Sequence, residues 1–374
     1  MPAYILEEAR LLRNLSILRR VREESGIMLL FAIKSSCIWK TFELFRGSID
    51  GIATSGLWEA HLAYDKFGGL ISTFSPAFEK ETFDEVCHYS SHIVFNSYTQ
   101  YLRFRDAARG RVSVGLRINP HYSEVRTTLY NTVVPGTRFG VSETDLPATL
   151  PSDIEGLHFH ALCENGAGTL CRVLQSVEKH YGPWLEQVRW FNMGGGHLIT
   201  CKDYDVELLI RCLREFKGRH PHLIIIMEPG EAFLWDCGSL VARVEDIVKE
   251  SGIQTAVLNV SVACHMPDCL EMPYQPEITG AVQIAADSEE AKGPCAFRIG
   301  GNSCLSGDYL GMWKFPRPLQ VGDLVAIEDM MHYTTVKTTM FNGIAHPDIA
   351  IKHLDGRVET LRHFEYSDYE NRMD

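Results

Sequence analysis

The apolar run over residues 28–33 leads directly into Lys34, in the segment MLLFAIKSSC. A lysine so placed is either a solvated rim charge or an amine held partly desolvated, with a lowered pKa and a lone pair able to attack a carbonyl. The segment NMGGGHLIT sets Gly194, Gly195 and Gly196 after another apolar run. Without Cβ atoms, such a loop either turns the chain or brings backbone N–H groups close to an anion. The run IIIM ends in Glu228, and Pro229-Gly230 then forces a turn. A carboxylate there can cap a helix, sit on a rim, or keep a heterocyclic nitrogen protonated. A nucleophilic lysine, an anion-binding glycine loop and such a carboxylate together fit pyridoxal 5'-phosphate (PLP) as cofactor. Two later segments add candidates. Cys304 lies among glycines and small polar residues in RIGGNSCLSGDYLG, four residues before Asp308, and Tyr333 stands in MHYT. Cys304 reads as an inert thiol or as a group on a loop that reaches into a site. Tyr333 reads as a core tyrosine or as a hydroxyl donor to a phosphate.

These groups need elements to bring them together. Residues 7–24 carry Leu11, Leu12, Leu15, Leu18 and Val21 at helical spacing, so a helix is expected there. Short apolar runs then recur at 28–34, 49–54, 69–73, 91–96, 112–118, 154–160, 188–193 and 222–228, with helix-sized segments between them. Runs of this kind read as parallel strands covered on both faces. Eight in succession point to an α/β fold of the (β/α)8 TIM-barrel type, with functional groups at the C-terminal strand ends. Lys34, Thr54-Ser55, Asn96, Arg117, Asn119, His158, His160, the three glycines and Glu228 then share one rim. From about Gly238 the texture changes to β-like runs, including SLVARVEDIVK, TAVLNVSVA, EITGAVQIA, CAFRIGG and DLVAIED. This is a second, mostly antiparallel β domain. The expected division is residues 1–240 for the barrel, N-terminal helix included, and 241–374 for the β domain carrying the Cys304 loop.

Bulk properties narrow the partners. The chain has 374 residues, 45% of them hydrophobic, enough to bury a large core. Its formal net charge of -12, without a basic run, argues against nucleic acid or an anionic membrane surface as partner. The opening residues show no secretory signal and no segment is long enough to span a membrane, so a cytoplasmic location is expected. The eleven cysteines are scattered and include no CxxC pair. They read as reduced thiols, and no metal site is expected.

The motifs FAIKSSC, TSGLWE, HFHALCE, NMGGGHLIT, MEPGEAF, ACHMPDCLEMPYQP, GGNSCLSGDYLG and EDMMHYTTVKTTMFNG span nearly the whole chain. Together they resemble the fold-type III, alanine-racemase-like PLP decarboxylases, which include ornithine, diaminopimelate and arginine decarboxylases. Within that family the chain looks most like the carboxynorspermidine and carboxyspermidine decarboxylases. The resemblance implies that Lys34 is joined to the cofactor and His160 stacks on its ring. Gly194 to Gly196 and Tyr333 would bind the phosphate, and Glu228 would pair with the ring nitrogen. Cys304 matches the cysteine of a loop that relatives exchange across a homodimer, so the active sites would be shared and Cys304 would protonate the product carbon. Asp308, in the same loop, is implied as a contact for the distal amine of the substrate.

Departures from better-known members bear on substrate. After EPG, ornithine and diaminopimelate decarboxylases carry arginine, where this chain has Glu231. Exchanging a cation for an anion favours a polycationic amino acid over a dicarboxylic one by the sign of the Coulomb energy. Asp268 and Glu271 could meet further ammonium groups. The residue after the cysteine is Leu305, and strand two ends in Thr54-Ser55-Gly56 where ornithine decarboxylases have aspartate. The expected reaction is α-decarboxylation of carboxynorspermidine or carboxyspermidine to norspermidine or spermidine. The alternatives are a diaminopimelate or basic amino-acid decarboxylase, an amino-acid racemase, and a non-catalytic polyamine-binding regulator.

Overall fold

The computed structural model describes residues 1–271 and 274–374 of the chain. Its first strand, β1 (Ala3–Glu7), is followed by the helix Glu8–Ser25. The next eight strands are β2 (Met28–Ala32), β3 (Gly51–Thr54), β4 (Leu70–Ser75), β5 (His92–Phe95), β6 (Ser113–Arg117), β7 (Ile154–His158), β8 (Trp190–Asn192) and β9 (Ile224–Met227). Each pairs in parallel with the next and β9 pairs with β2, closing an eight-stranded barrel. All eight apolar runs of the sequence are barrel strands. They are nearly continuous in hydrophobicity because helices cover the outside while side chains fill the inside. The helix Ala167–Leu185 shows the outer pattern: Leu170, Val173, Leu174, Val177, Tyr181 and Leu185 are buried at helical spacing. Capping helps set where helices begin. The Ser97 hydroxyl accepts from the Gln100 N–H ahead of Tyr98–Ala108, and Asp205 accepts from the Leu208 N–H ahead of Val206–Arg219.

The barrel interior is filled in part by one indole. Gly115 on β6, Gly156 on β7 and Trp190 on β8 stand side by side in register. A Cβ at Gly115 would lie 2.2 Å from the indole, and one at Gly156 2.0 Å from it. Two strands thus surrender side chains so that Trp190 can fill their space, packed with Leu30, Ala32, Ala53, Val94 and Ile226. The indole N–H donates to Ser113 Oγ at 2.9 Å, which satisfies its buried donor.

The remaining strands form the second unit: β10 (Gly238–Glu250), β11 (Ile253–Leu258), β12 (Val282–Ile284), β13 (Ala296–Gly300), β14 (Tyr309–Lys314), β15 (Leu324–Glu328), β16 (Asp348–Lys352) and β17 (Val358–Arg362). With β1 they make one mostly antiparallel sheet, in the order β12-β14-β13-β11-β10-β1-β16-β17, with β15 also paired to β10. The compact units are Arg13–Phe233 for the barrel, and Met1–Leu12 with Leu234–Asp374 for the sheet. The division therefore falls at Leu234, not at residue 240, and the first residues join the sheet instead of the barrel. The reason is pairing. β1 runs antiparallel to β10 and parallel to β16, with Tyr4 and Leu6 buried on one face. No helix among the described residues is long and apolar enough to cross a membrane.

Replacing Gly156 with alanine should destabilise the barrel by about 1–3 kcal/mol through overpacking against Trp190. Urea unfolding measures this, and an unchanged midpoint would contradict the packing described.

Candidate active site

The barrel unit gathers its polar groups after the C-terminal ends of the strands. Lys34 lies in the single turn Ile33–Ser35 that follows β2. It is accessible to solvent, yet the protein around it desolvates the ammonium and lowers its pKa. The Arg117 charge lowers it further, while Glu228, Glu59 and Cys163 oppose the shift. An amine in this setting is unprotonated at lower pH than a surface lysine, as a nucleophile requires.

Arg117, the last residue of β6, is buried between Phe74 and Phe139, its guanidinium 4.6 and 4.4 Å from the ring centres. It donates to the His160 carbonyl at 3.1 Å. Burial lowers its pKa to about 9, against the pull of Glu228. Glu59, on the helix Leu57–Lys66, accepts from the Ser55 N–H at 2.7 Å. Burial raises its pKa, against that hydrogen bond and the Lys34 charge.

Glu228 follows β9 and lies inside the barrel. Burial alone would push its pKa up, but hydrogen bonds and charge from His158, with further bonds from Asn192 and Ser72, bring it below the ordinary carboxylate value. The Asn192 amide donates to Glu228 Oε1 at 2.6 Å, and His158 Nε2 lies 3.5 Å from Oε2. The His158 ring stacks on Phe74, with centroids 5.5 Å apart. A buried, ionised carboxylate is what a protonated ring nitrogen would need as partner.

The glycine loop is locked to the same network. The Asn192 side-chain oxygen accepts from Gly194 N–H at 2.9 Å, while its NH2 serves Glu228, so both ends of one amide are used. Gly195 N–H donates to His160 Nδ1 at 3.1 Å, which places that ring's proton on Nε2. Burial, then the charges of Lys34 and Arg117, lower the His160 pKa far below the usual histidine value, so the ring is neutral. Side chains are excluded from the loop: a Cβ at Gly194, Gly195 or Gly196 would lie 2.4, 2.3 or 1.9 Å from the carbonyl oxygens of Phe159, Glu228 or Leu162. Gly194 and Gly196 also have φ of +64° and +89°. Two of the three expected phosphate donors are thus engaged within the protein. Among the described residues, the N–H groups of Gly196 and Gly230 have no acceptor in the chain. Half-buried Glu231 opens the helix Glu231–Leu234 after Gly230. A steric cradle with spare N–H donors, a neutral imidazole, a desolvated amine and an ionised carboxylate fits PLP.

The sheet unit carries the other expected residues. Cys304 is exposed, and its N–H donates to the Asn342 side chain at 2.8 Å. Asp308 is buried, and its oxygens accept from Ala263 N–H at 3.0 Å, Ser303 N–H at 3.2 Å and Ser303 Oγ at 2.6 Å. This carboxylate fastens the loop that presents Cys304. A cavity of about 460 Å³ opens beside it, lined by Cys304, Ser303, Asp308, Arg298 and Tyr309. Tyr333 has a left-handed backbone, with φ of +46°. Lys337 Nζ lies 2.5 Å from Asp268 Oδ1 and 2.6 Å from Glu271 Oε2. Both acids expected to meet substrate ammonium groups thus already share an ammonium of the chain itself. Met272 and Pro273 of the same segment lie outside the described residues.

Asn192, Ser72, Phe74 and Glu59 were not foreseen as site residues. Only Asn192 carried a local signal, standing at the strand end two residues before the glycines.

The family profile described as pyridoxal-dependent decarboxylase, C-terminal sheet domain, matches residues 27–331. A carboxyaminopropylagmatine decarboxylase from Synechocystis sp. is 43% identical over 373 residues, covering 100% of this chain and 95% of that protein. A carboxynorspermidine/carboxyspermidine decarboxylase from Campylobacter jejuni is 39% identical, covering 99% and 98%. The crystal structure of carboxynorspermidine decarboxylase from Campylobacter jejuni, complexed with norspermidine, superposes with a TM-score of 0.92 at 38% identity, covering 100% and 99%.

Because Arg117 disfavours the Lys34 ammonium, replacing it with glutamine should raise the Lys34 pKa. In the cofactor-free protein, the pH profile of Lys34 labelling by trinitrobenzenesulfonate should then move to higher pH, as read by peptide mapping. An unmoved profile in Arg117→Gln would contradict the electrostatic account.

Proposed function

This chain belongs to the pyridoxal-dependent decarboxylases, and from that premise we propose that it releases CO2 from the α-carbon of carboxynorspermidine or carboxyspermidine. The observation that carries the reading is the largely enclosed Glu228 carboxylate, which accepts from the Asn192 amide at 2.6 Å and lies 3.5 Å from His158 Nε2. PLP, when bound, supplies an aldehyde for covalent attachment of an amine and a ring that accepts the electron pair left by the departing carboxylate. The chain's own residues do the rest. Lys34 offers the amine, its pKa lowered by desolvation and by the Arg117 charge. Glu228 holds a proton on a ring nitrogen facing it, which favours electron withdrawal. A racemase of this fold usually sets arginine there, which would disfavour it. His160 presents a neutral ring face, fixed by its bond from Gly195 N–H. Gly194 to Gly196 shape the phosphate cradle, in which the N–H groups of Gly196 and Gly230 are the donors to spare, and Tyr333 is carried over as a hydroxyl donor.

Cys304 returns a proton to the α-carbon, acting in the site of a second copy in a homodimer. Asp308 keeps that loop in shape. Glu231, Asp268 and Glu271 set a negative environment for a polycationic tail, the last two in competition with Lys337. A second reading, a substrate of the carboxyaminopropylagmatine type, is favoured by the 43% identity over the full chain.

A CO2-release assay across carboxynorspermidine, carboxyspermidine, carboxyaminopropylagmatine and meso-diaminopimelate tests the proposal. One of the first two should have the highest kcat/KM, and Cys304→Ala should lower kcat by about 100-fold or more. Preference for carboxyaminopropylagmatine would select the second reading. Preference for diaminopimelate would overturn both.

A further inference from the structure

The barrel unit holds another cluster of ligand-type side chains, made of residues with no part in the proposed decarboxylation. We propose that His121, Glu143 and His180 bind a divalent first-row transition ion, with Zn2+ the best match to their two imidazole nitrogens and one carboxylate. His121 Nε2 lies 2.6 Å from Glu143 Oε2, and His180 Nδ1 lies 2.9 Å from Glu143 Oε1. One ligand atom from each residue falls within 4.8 Å of the other two. Ligands held about 2.0–2.1 Å from a tetrahedral zinc stand roughly 3.3 Å apart. Closing the imidazoles by no more than about 1.5 Å would therefore complete the site. The side chains are partly exposed, so an ion can enter from solvent with water as its fourth ligand.

The three segments are held together by bonds that do not involve the ligand atoms. Asn119 N–H donates to the Val141 carbonyl at 3.0 Å, and Val141 N–H to the Arg117 carbonyl at 2.8 Å. This bridge sets the loop after β6 beside the turn Glu143–Asp145. The Tyr181 hydroxyl, next to His180 on the helix Ala167–Leu185, reaches the carbonyls of Asn119 at 2.7 Å and Val141 at 2.9 Å. On the same helix Ser176 Oγ donates to the Pro120 carbonyl at 2.6 Å. His121 has φ of +55°, rare for a residue with a Cβ, and its N–H is caught by the Asn119 side chain at 3.0 Å. Its ring lies nearly parallel to that of Tyr181, 5° between planes at 6.2 Å. The backbone thus holds the three segments together, and the ring packing orients His121, before any ion arrives.

Binding would exchange two N–H···O contacts for metal bonds. The proton on each imidazole nitrogen that now faces Glu143 would move to the ring's other nitrogen, leaving a lone pair for the metal. The ion would staple the excursion after β6, the strand that ends in Arg117, to the helix Ala167–Leu185.

The test uses the holoenzyme after removal of metal by a chelator. Titration with Zn2+ should show one tight equivalent per chain. Co2+ in its place should give visible d–d bands without a thiolate charge-transfer band, which separates this site from cysteine ligation. His121→Asn, which tolerates the left-handed backbone, Glu143→Gln and His180→Gln should each weaken binding by about 100-fold or more, beyond what loss of an outer hydrogen bond to a ligand costs. Absence of a tight equivalent in the parent, a thiolate band, or unchanged affinity in the three variants would overturn the proposal.

Discussion

A carboxylate inside a barrel is the constraint on which the site depends. Burial is the largest influence on Glu228 and by itself pushes its pKa up, towards the neutral acid. Hydrogen bonds from His158, Asn192 and Ser72 oppose it and bring the pKa below the ordinary carboxylate value. Asn192 is the pivot, since its other end holds Gly194, and Gly195 in turn holds the His160 ring. The carboxylate, the glycine loop and the imidazole are thus parts of one hydrogen-bonded unit. Arg117 joins it from β6 through the His160 carbonyl, and its charge also helps to lower the Lys34 pKa.

The barrel makes this unit possible by delivering residues from different strands to a common rim. Much of that was legible in the sequence. Strand after strand runs apolar and ends in a polar group, because parallel strands covered on both faces leave polar side chains mainly at their ends. Lys34, His160, the glycines and Glu228 could be singled out for the same reason. The partners that tune them could not. Phe74 lies on β4 and clamps an arginine of β6, and Ser72 reaches a carboxylate that follows β9. Such pairings arise only when the barrel closes. β1 was hidden in a related way. Its five residues precede a strongly patterned helix, and their strand partners lie far along the chain in β10 and β16.

Acidic residues were easier to recognise than their neighbours. Asp268 and Glu271 stood out as anions suited to a polyamine, yet Lys337, which the sequence separates from them, bridges the two. Asp308 is an anion suited to the same tail, and it also accepts from Ala263 and Ser303 around the Cys304 loop. In both cases the residue type was read correctly as an anion, while its partner was set by tertiary structure. The histidines of residues 121 and 180, with Glu143 between them in sequence, form their cluster for the same reason.

The central claim is that the amine of Lys34 is the point at which the cofactor is covalently held. Borohydride reduction of the purified enzyme, followed by proteolysis and mass mapping, tests it most directly. The account predicts a single pyridoxyl group on the peptide containing Lys34. A label on a different lysine, or none on any, would contradict it.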